Sequence, residues 1–394
     1  MKAEFFPSKA CGTVKAPASK SMAHRLLICA GLSGESSVIN GIDLSEDVSA
    51  TIDCLKTLGA ECVVDRGRAF VKGINILKVS PDGVFHCRES GSTIRFFVPI
   101  ALATGEKCAF DGSERLLSRP MDVYSEICSQ KGMAFSKNEV SLTVKGPMTS
   151  GVYKIPGNIS SQFISGLMFV LPLLDGDSEI HVLPPVESRS YIDLTVRALS
   201  LFGVEVKHEK NGIFKIKGNQ KYSGRKISVE GDYSNAAFLS AFNLFGGNVQ
   251  VEGLSCDSDQ GDAVYPDLFR RLNKSDTVIH IGDCPDLAPV LFSIAAAKSG
   301  GVFTGTKRLK IKESDRAQAM ADELAKFGTK VVIDEDSVKI YPKSFHKPES
   351  ILFGHNDHRI VMAMSVLCSL TGGVIDGVQA VSKSYPGFFD DLKN

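Results

Sequence analysis

The chain has 394 residues, enough for two or three domains with full cores, and its 45 Lys+Arg balance 45 Asp+Glu to a formal net charge of zero. No bulk positive field therefore argues for nucleic acid or an anionic membrane, and any anion site must be a local cluster. Ten cysteines are scattered singly with no C-x-x-C pair, which suits reduced thiols better than a disulfide framework or a zinc site, and no apolar leader or run of about 18 apolar residues marks a membrane segment. The expectation is a soluble cytoplasmic protein.

The first informative stretch in chain order is Pro17-Ala18-Ser19-Lys20-Ser21-Met22-Ala23-His24-Arg25. It reads as the end of an extended segment followed at once by a helix: Ser19 can cap, and Met22, Leu26, Leu27 and Ala30 recur at helical spacing. Lys20 and Arg25 then stand where free N–H groups and the positive end of the helix dipole favour an anion. Two solvated cations on a first turn would look the same, and what separates the readings is recurrence.

Glycines that introduce short strands recur at Gly34, Gly105, Gly176, Gly247, Gly301 and Gly373, at intervals of 71, 71, 71, 54 and 72 residues. A second glycine opens a later strand at Gly59, Gly132, Gly203 and Gly328, and the fourth copy lacks this piece. Six copies of one unit result, the fourth truncated. Each has two helix starts. The first lies 14 residues before its lead glycine, at Lys20, Gly91, Gln162, Tyr233, Leu287 and Arg359. The second follows the lead strand, as in Ser45-Glu46-Asp47, Arg119-Pro120-Met121-Asp122, Ser188-Arg189-Ser190-Tyr191 and Lys312-Glu313-Ser314-Asp315-Arg316.

A β-α-β-α-β-β unit cannot bury its own apolar face, so three units are expected to pack helices inward and sheets outward. The fold expected is α/β (α+β), an inverse α/β prism in two lobes: residues 19–230 carrying repeats one to three, and 1–18 plus 231–394 carrying repeats four to six. The crossings fall near 16–19 and 229–232, and residues 1–18 are expected to complete the sixth repeat, which runs out of chain. Helix starts aimed into the gap between lobes would make an anion-attracting cleft on a hinge. Capping alone does not call for arginine at Arg25, Arg95, Arg119, Arg316 and Arg359 or lysine at Lys20, Lys312 and Lys383, since cations there are unfavourable without a shared anion.

Other motifs narrow the chemistry. Pro285-Asp286 places a carboxylate at a helix start, where an N-cap is the ordinary reading, and Lys312 and Arg316, i and i+4 on a helix, would share a face with Glu313 beside them. Asn356-Asp357-His358-Arg359 puts a histidine beside an arginine at another start, and Ser160-Ser161-Gln162 offers neutral hydrogen-bonding groups. Neither a P-loop nor a G-x-G-x-x-G fingerprint follows a strand, and no H-E-x-x-H or Cys/His cluster stands out, so no nucleotide cofactor and no metal is indicated.

In this order, Ser19-Lys20-Ser21 with Arg25, Ser90-Gly91-Ser92-Thr93-Ile94-Arg95, Arg119-Pro120, Ser160-Ser161-Gln162, Ser188 with Tyr191-Ile192-Asp193, Gln260-Gly261-Asp262, Pro285-Asp286, Lys312 to Arg316, Asn356 to Arg359 and Lys383 resemble the 3-phosphoshikimate 1-carboxyvinyltransferase family across the whole chain. That family joins phosphoenolpyruvate to the 5-hydroxyl of shikimate 3-phosphate by addition and elimination, releasing phosphate. The resemblance implies that Lys20, Ser21, Arg25, Ser160, Ser161, Gln162, Ser188, Tyr191, Asp286 and Lys312 contact shikimate 3-phosphate. It implies that Lys20, Gly91, Arg119, Gln162, Arg316, Arg359 and Lys383 contact phosphoenolpyruvate. It casts Asp286 as base for the 5-hydroxyl and Glu313 as acid and base at C3, with Lys20, His358 and Lys383 assisting, and calls for no cofactor.

Arg308 stands where many members have asparagine, so that contact is not carried over. Two alternatives remain. A UDP-N-acetylglucosamine enolpyruvyl transferase shares the repeat but typically has Lys-Asn where Lys20-Ser21 stand and a loop cysteine near the residue matching Arg119, whereas Cys108 reads as a buried strand residue. A non-catalytic anion-binding relative would not need both Asp286 and Glu313. A monomer is expected, because the repeats already cover one another.

Overall fold

The computed structural model describes residues 1–341 and 345–393. Six helices begin within a residue of the starts read from the 14-residue offset: Lys20–Gly31, Gly91–Thr104, Ser161–Val170, Tyr233–Ala241, Ala288–Ala297 and His358–Thr371. Five of them are capped by the residue before them. Ser19, Ser90, Ser160, Asp232 and Asp357 accept from the amides of Met22, Thr93, Gln162, Asn235 and Arg359, which satisfies N–H groups that an inward-facing helix end cannot give to water. The glycine periodicity also has a backbone cause. A glycine at positive φ stands between each of these helices and the strand that follows; Gly105 also ends its helix, at φ 80°, and in the later copies the glycine just before the lead position takes this conformation, as Gly246 at φ 87°.

Two compact units result. One is Ala18–Glu230; the other joins Met1–Pro17 to Gly231–Asn394. Within the first, Lys20–Gly31, Gly91–Thr104 and Ser161–Val170 are buried almost all round and pack Leu27, Phe97 and Leu167 into one core. Each such side chain contributes roughly 1.5–3 kcal/mol on leaving water. Around them stand sheets with one solvated face. In the second repeat the order is Val84–His86, Lys107–Asp111, Leu142–Lys145, Ala134–Lys137, with the first pair parallel and the others antiparallel. The parallel pair is the crossover through the buried helix, and the hairpin closes the outer edge. The third repeat and the fifth have the same order, and the first takes its parallel strand from Lys226–Ser228, paired with Val38–Asn40, so the unit closes on itself.

The second unit packs Phe238, Leu291 and Met364 from its central helices into its own core. Its fourth repeat is a two-stranded sheet, Asn248–Glu252 parallel to Cys11–Lys15, because the 54-residue interval leaves no sequence for a hairpin. Here the reading of residues 1–18 needs correction. Only Lys2–Phe5 joins the sixth repeat, antiparallel to Gly373–Asp376, whereas Cys11–Lys15 belongs to the fourth. The sixth repeat takes an antiparallel strand and the fourth a parallel one, and one N-terminal segment supplies both. Among the described residues no helix is long and apolar enough to cross a membrane.

Candidate active site

In the Ala18–Glu230 unit the polar residues gather at helix starts. Lys20 Nζ donates to Asp47 Oδ2 at 2.8 Å, joining the two helix starts of the first repeat. Arg25, 2% exposed, donates Nε to Thr195 Oγ1 (2.8 Å), Nη1 to the Ser21 carbonyl (2.6 Å) and Nη2 to the Tyr191 carbonyl (2.9 Å), and its guanidinium lies 5.3 Å from the Phe96 ring centroid. All three acceptors are neutral. Burial therefore dominates and lowers its pKa to about 10, still cationic near neutrality, which leaves a buried positive charge suited to an incoming anion. His24, the residue before Arg25, stays neutral near pH 7: burial, then Lys20 and Arg25, hold it well below the usual histidine range.

Gln162 is oriented from both ends, accepting from Arg95 Nη1 at 2.7 Å and donating to Ser92 Oγ at 2.9 Å. Arg95 also donates to the Pro120 carbonyl (3.3 Å), next to Arg119. The Arg119 guanidinium lies against Gly91 so closely that a Cβ there would meet Nη1 at 2.6 Å. Ser160 and Ser161 are buried at the third helix start, and Ser188 adopts φ 53° just before Arg189–Leu201 without capping it.

In the other unit one carboxylate organises the site. Asp286 accepts from Lys312 Nζ (3.2 Å), Arg316 Nη1 (2.8 Å) and Arg359 Nη2 (2.9 Å). Burial pushes its carboxyl up, but Arg359, Lys312 and Arg316 together outweigh burial and hold it well below the usual carboxylate range. Arg316, 1% exposed, also donates to Glu313 Oε2 (2.7 Å) and through Nε to Asp357 Oδ2 (2.8 Å). Burial opposes its charge, yet Asp357, Glu313 and Asp286 hold its pKa well above the arginine norm. Lys312 is the converse, since burial lowers it more than Asp286 raises it. Asp357 also caps the His358–Thr371 helix, so His358 lies with Nδ1 3.8 Å from Asp357 Oδ1. Lys383 donates to the Asn356 carbonyl at 2.6 Å.

Two local readings need correction. Asp286 does not cap: it lies inside the 3-10 turn Pro285–Leu287, and its carboxylate turns to the three cations. Lys312 and Arg316 do not share a helix face, because Arg316–Ala325 begins at Arg316 behind its cap Asp315 and Lys312 is extended before it. They meet by converging on Asp286, where a cation gains more than on an exposed turn.

The structure thus brings Asp286, Lys312, Glu313, Arg316 and Arg359 into one network, Ser21, Arg25 and Tyr191 into a second, and Gly91 with Arg119 into a third. His358 and Lys383 adjoin the first through Asp357 and Asn356. Sequence reasoning gave no role to Asp47, Asp357 or Thr195. The first two stand in helix-start motifs already noted, whereas Thr195, in a helix interior, carries no local signal. Among the described residues no group of three His, Cys, Asp or Glu could hold a metal ion.

The sequence profile described as EPSP synthase (3-phosphoshikimate 1-carboxyvinyltransferase) matches residues 6–392. A Clostridium acetobutylicum protein named 3-phosphoshikimate 1-carboxyvinyltransferase is 42% identical over 404 aligned residues, spanning 97% of this chain and 94% of its own. A Clostridium kluyveri protein of the same name is 39% identical, spanning 98% and 96%. In fold, the chain resembles the solved EPSP synthase of Acinetobacter baumannii with a TM-score of 0.81 over 100% of this chain and 97% of that one, at 23% identity. With profile and relatives agreeing over almost its whole length, this chain belongs to the EPSP synthase (3-phosphoshikimate 1-carboxyvinyltransferase) family.

Proposed function

We propose that this enzyme transfers the enolpyruvyl group of phosphoenolpyruvate to the 5-hydroxyl of shikimate 3-phosphate and releases inorganic phosphate, in the shikimate route to aromatic amino acids. Family membership supports the reaction, and the observation that carries it to residues is the convergence of Lys312, Arg316 and Arg359 on Asp286 with Glu313 on the same arginine. The 5-hydroxyl oxygen attacks C2 of phosphoenolpyruvate as its proton passes to Asp286 and C3 receives one from Glu313. Glu313 then removes a proton from C3 as phosphate leaves C2. Lys20, Ser21, Arg25, Ser160, Ser161, Gln162, Ser188, Tyr191 and Lys312 are assigned to shikimate 3-phosphate, and Lys20, Gly91, Arg119, Gln162, Arg316, Arg359 and Lys383 to phosphoenolpyruvate, with Lys20, His358 and Lys383 assisting proton transfer.

The electrostatics suit a site that works only when filled. Asp286 paired to three cations is a poor base, because each favours its charged form. Each substrate brings a phosphate and a carboxylate, and as these take Lys312, Arg316 and Arg359 the proton affinity of Asp286 rises. Arginine is the fitting cation, since its fork matches carboxylate and phosphate. The same reading makes the protein a cytoplasmic monomer.

Phosphate release from phosphoenolpyruvate, measured in parallel with shikimate 3-phosphate and with UDP-N-acetylglucosamine, tests the reading. Release with shikimate 3-phosphate alone is expected. Release with the nucleotide sugar alone would transfer the assignment to the sister reaction, and release with neither would leave an anion-binding protein.

A further inference from the structure

Asp262 belongs to the Gln260-Gly261-Asp262 segment, to which the proposed reaction gives no task. It stands in the 3-10 turn Gly261–Val264 and is 4% exposed. Its Oδ2 accepts a hydrogen bond from the Ser234 hydroxyl, on the first turn of the Tyr233–Ala241 helix. Its Oδ1 is buried and has no hydrogen-bond partner among the described residues. Arg359 is the counterpart: Nη2 is taken by Asp286 at 2.9 Å, while Nε and Nη1 are buried and donate to nothing among the described residues. An unused acceptor and two unused donors are therefore enclosed within electrostatic reach of each other.

We propose that Asp262 is a positioning residue that competes with Asp286 for the Arg359 guanidinium: by holding Arg359 it releases Asp286 to accept the proton of the substrate hydroxyl. The proposal rests on the reading of Asp286 as the base. A carboxylate relieved of one of three cations binds a proton more readily, and the guanidinium is kept in place for an anion. Groups on three neighbouring elements set the charge of Asp262. Burial, then Asp286 from the 3-10 turn Pro285–Leu287, push its carboxyl up to about 7; Arg359 and the Ser234 hydroxyl act against them, and Asp232, capping the Tyr233–Ala241 helix, adds to the rise. The neighbouring Cys284 thiol stays neutral over this range, since burial, then Asp262, Asp283 and Asp286, push it up. Asp262 accordingly changes charge near neutrality, and kcat should climb as it ionises.

The experiment measures kcat by phosphate release from pH 5.5 to 9 for the full-length wild type, Asp262→Asn and Ser234→Ala. Wild type should gain activity through about pH 7. Asp262→Asn should be lower by about tenfold above that pH and lack this limb. Ser234→Ala, without the hydroxyl that favours the charged form, should show the limb displaced upward and regain wild-type kcat at high pH. A limb retained in Asp262→Asn, or a loss in Ser234→Ala that high pH does not restore, overturns the proposal, since a residue needed only for folding would lower activity alike at every pH. A double-mutant cycle in thermal midpoint between Asp262→Asn and Asp286→Asn needs no turnover: non-additive effects are expected of two carboxyls sharing one guanidinium, and additive effects overturn the proposal. Wild type without turnover would count against the proposed reaction alone, and the cycle would still decide the role of Asp262.

Discussion

At Gly91 the missing side chain is what lets the Arg119 guanidinium lie against the start of the Gly91–Thr104 helix. A methyl group there would displace the far end of a flexible side chain, which costs little in folding but moves a charge assigned to phosphoenolpyruvate. Gly91→Ala should raise KM for phosphoenolpyruvate by about 10- to 100-fold, the worth of one charge-assisted hydrogen bond, with KM for shikimate 3-phosphate and the thermal midpoint nearly unchanged. Steady-state kinetics with each substrate varied in turn checks this. Asp286→Asn should behave differently. It removes the proposed base, for a loss in kcat on the order of 10²–10⁴, and it also strands three cations, at a cost of about 3 kcal/mol or more. Because the folded-state pKa of Asp286 is depressed, its stabilisation is present above the unfolded carboxylate value of about 4 and is lost as pH falls through the folded value. The difference in thermal midpoint between wild type and Asp286→Asn should therefore be largest near neutrality and narrow in acid. Residue types at these positions were legible in the sequence; their partners were not, because Asp286 and Arg359 are 73 residues apart.

Elements were legible where local chemistry decides them. Ser19, Ser90, Ser160, Asp232 and Asp357 each cap the helix that the repeat offset marks, and the left-handed residue before each strand made the period visible as glycine. Lys312 was misread because an i,i+4 pattern fits a helix whether or not the helix has begun, and the Asp315 cap starts it three residues later. The fourth repeat shows how a shortened element is made safe. The outer edge of Asn248–Glu252 pairs with no strand among the described residues, yet the Asn243 side chain donates to the Val249 carbonyl (2.8 Å) and accepts from the Val249 amide (2.6 Å), imitating a neighbouring strand. An open edge invites pairing with another chain, and this clasp blocks it. Asn243→Val should expose the edge and produce concentration-dependent association in sedimentation velocity, while the wild type sediments unchanged over the same range.

For the whole molecule, the two units differ in how they are assembled from the chain. Ala18–Glu230 is one continuous segment, closed by Lys226–Ser228 on its own first repeat and filled by its own core. Expressed alone, residues 18–230 should fold and melt cooperatively by circular dichroism. Residues 231–394 alone lack Lys2–Phe5 and Cys11–Lys15, which pair with Gly373–Asp376 and Asn248–Glu252, and should not. Calorimetry of both fragments checks the contrast. The sequence by itself determined the six-fold repeat, the helix starts, the missing hairpin of the fourth copy and the clustering of cationic residue types at those starts, because capping, hydrophobic period and glycine turns act over a few residues. Only the tertiary structure decided that the N-terminal segment serves two different sheets, that three cations share Asp286, and that Asp262 stands buried within reach of Arg359. Those depend on which distant segments are brought together and on how far water is excluded there, and burial turns ordinary charges into a coupled network.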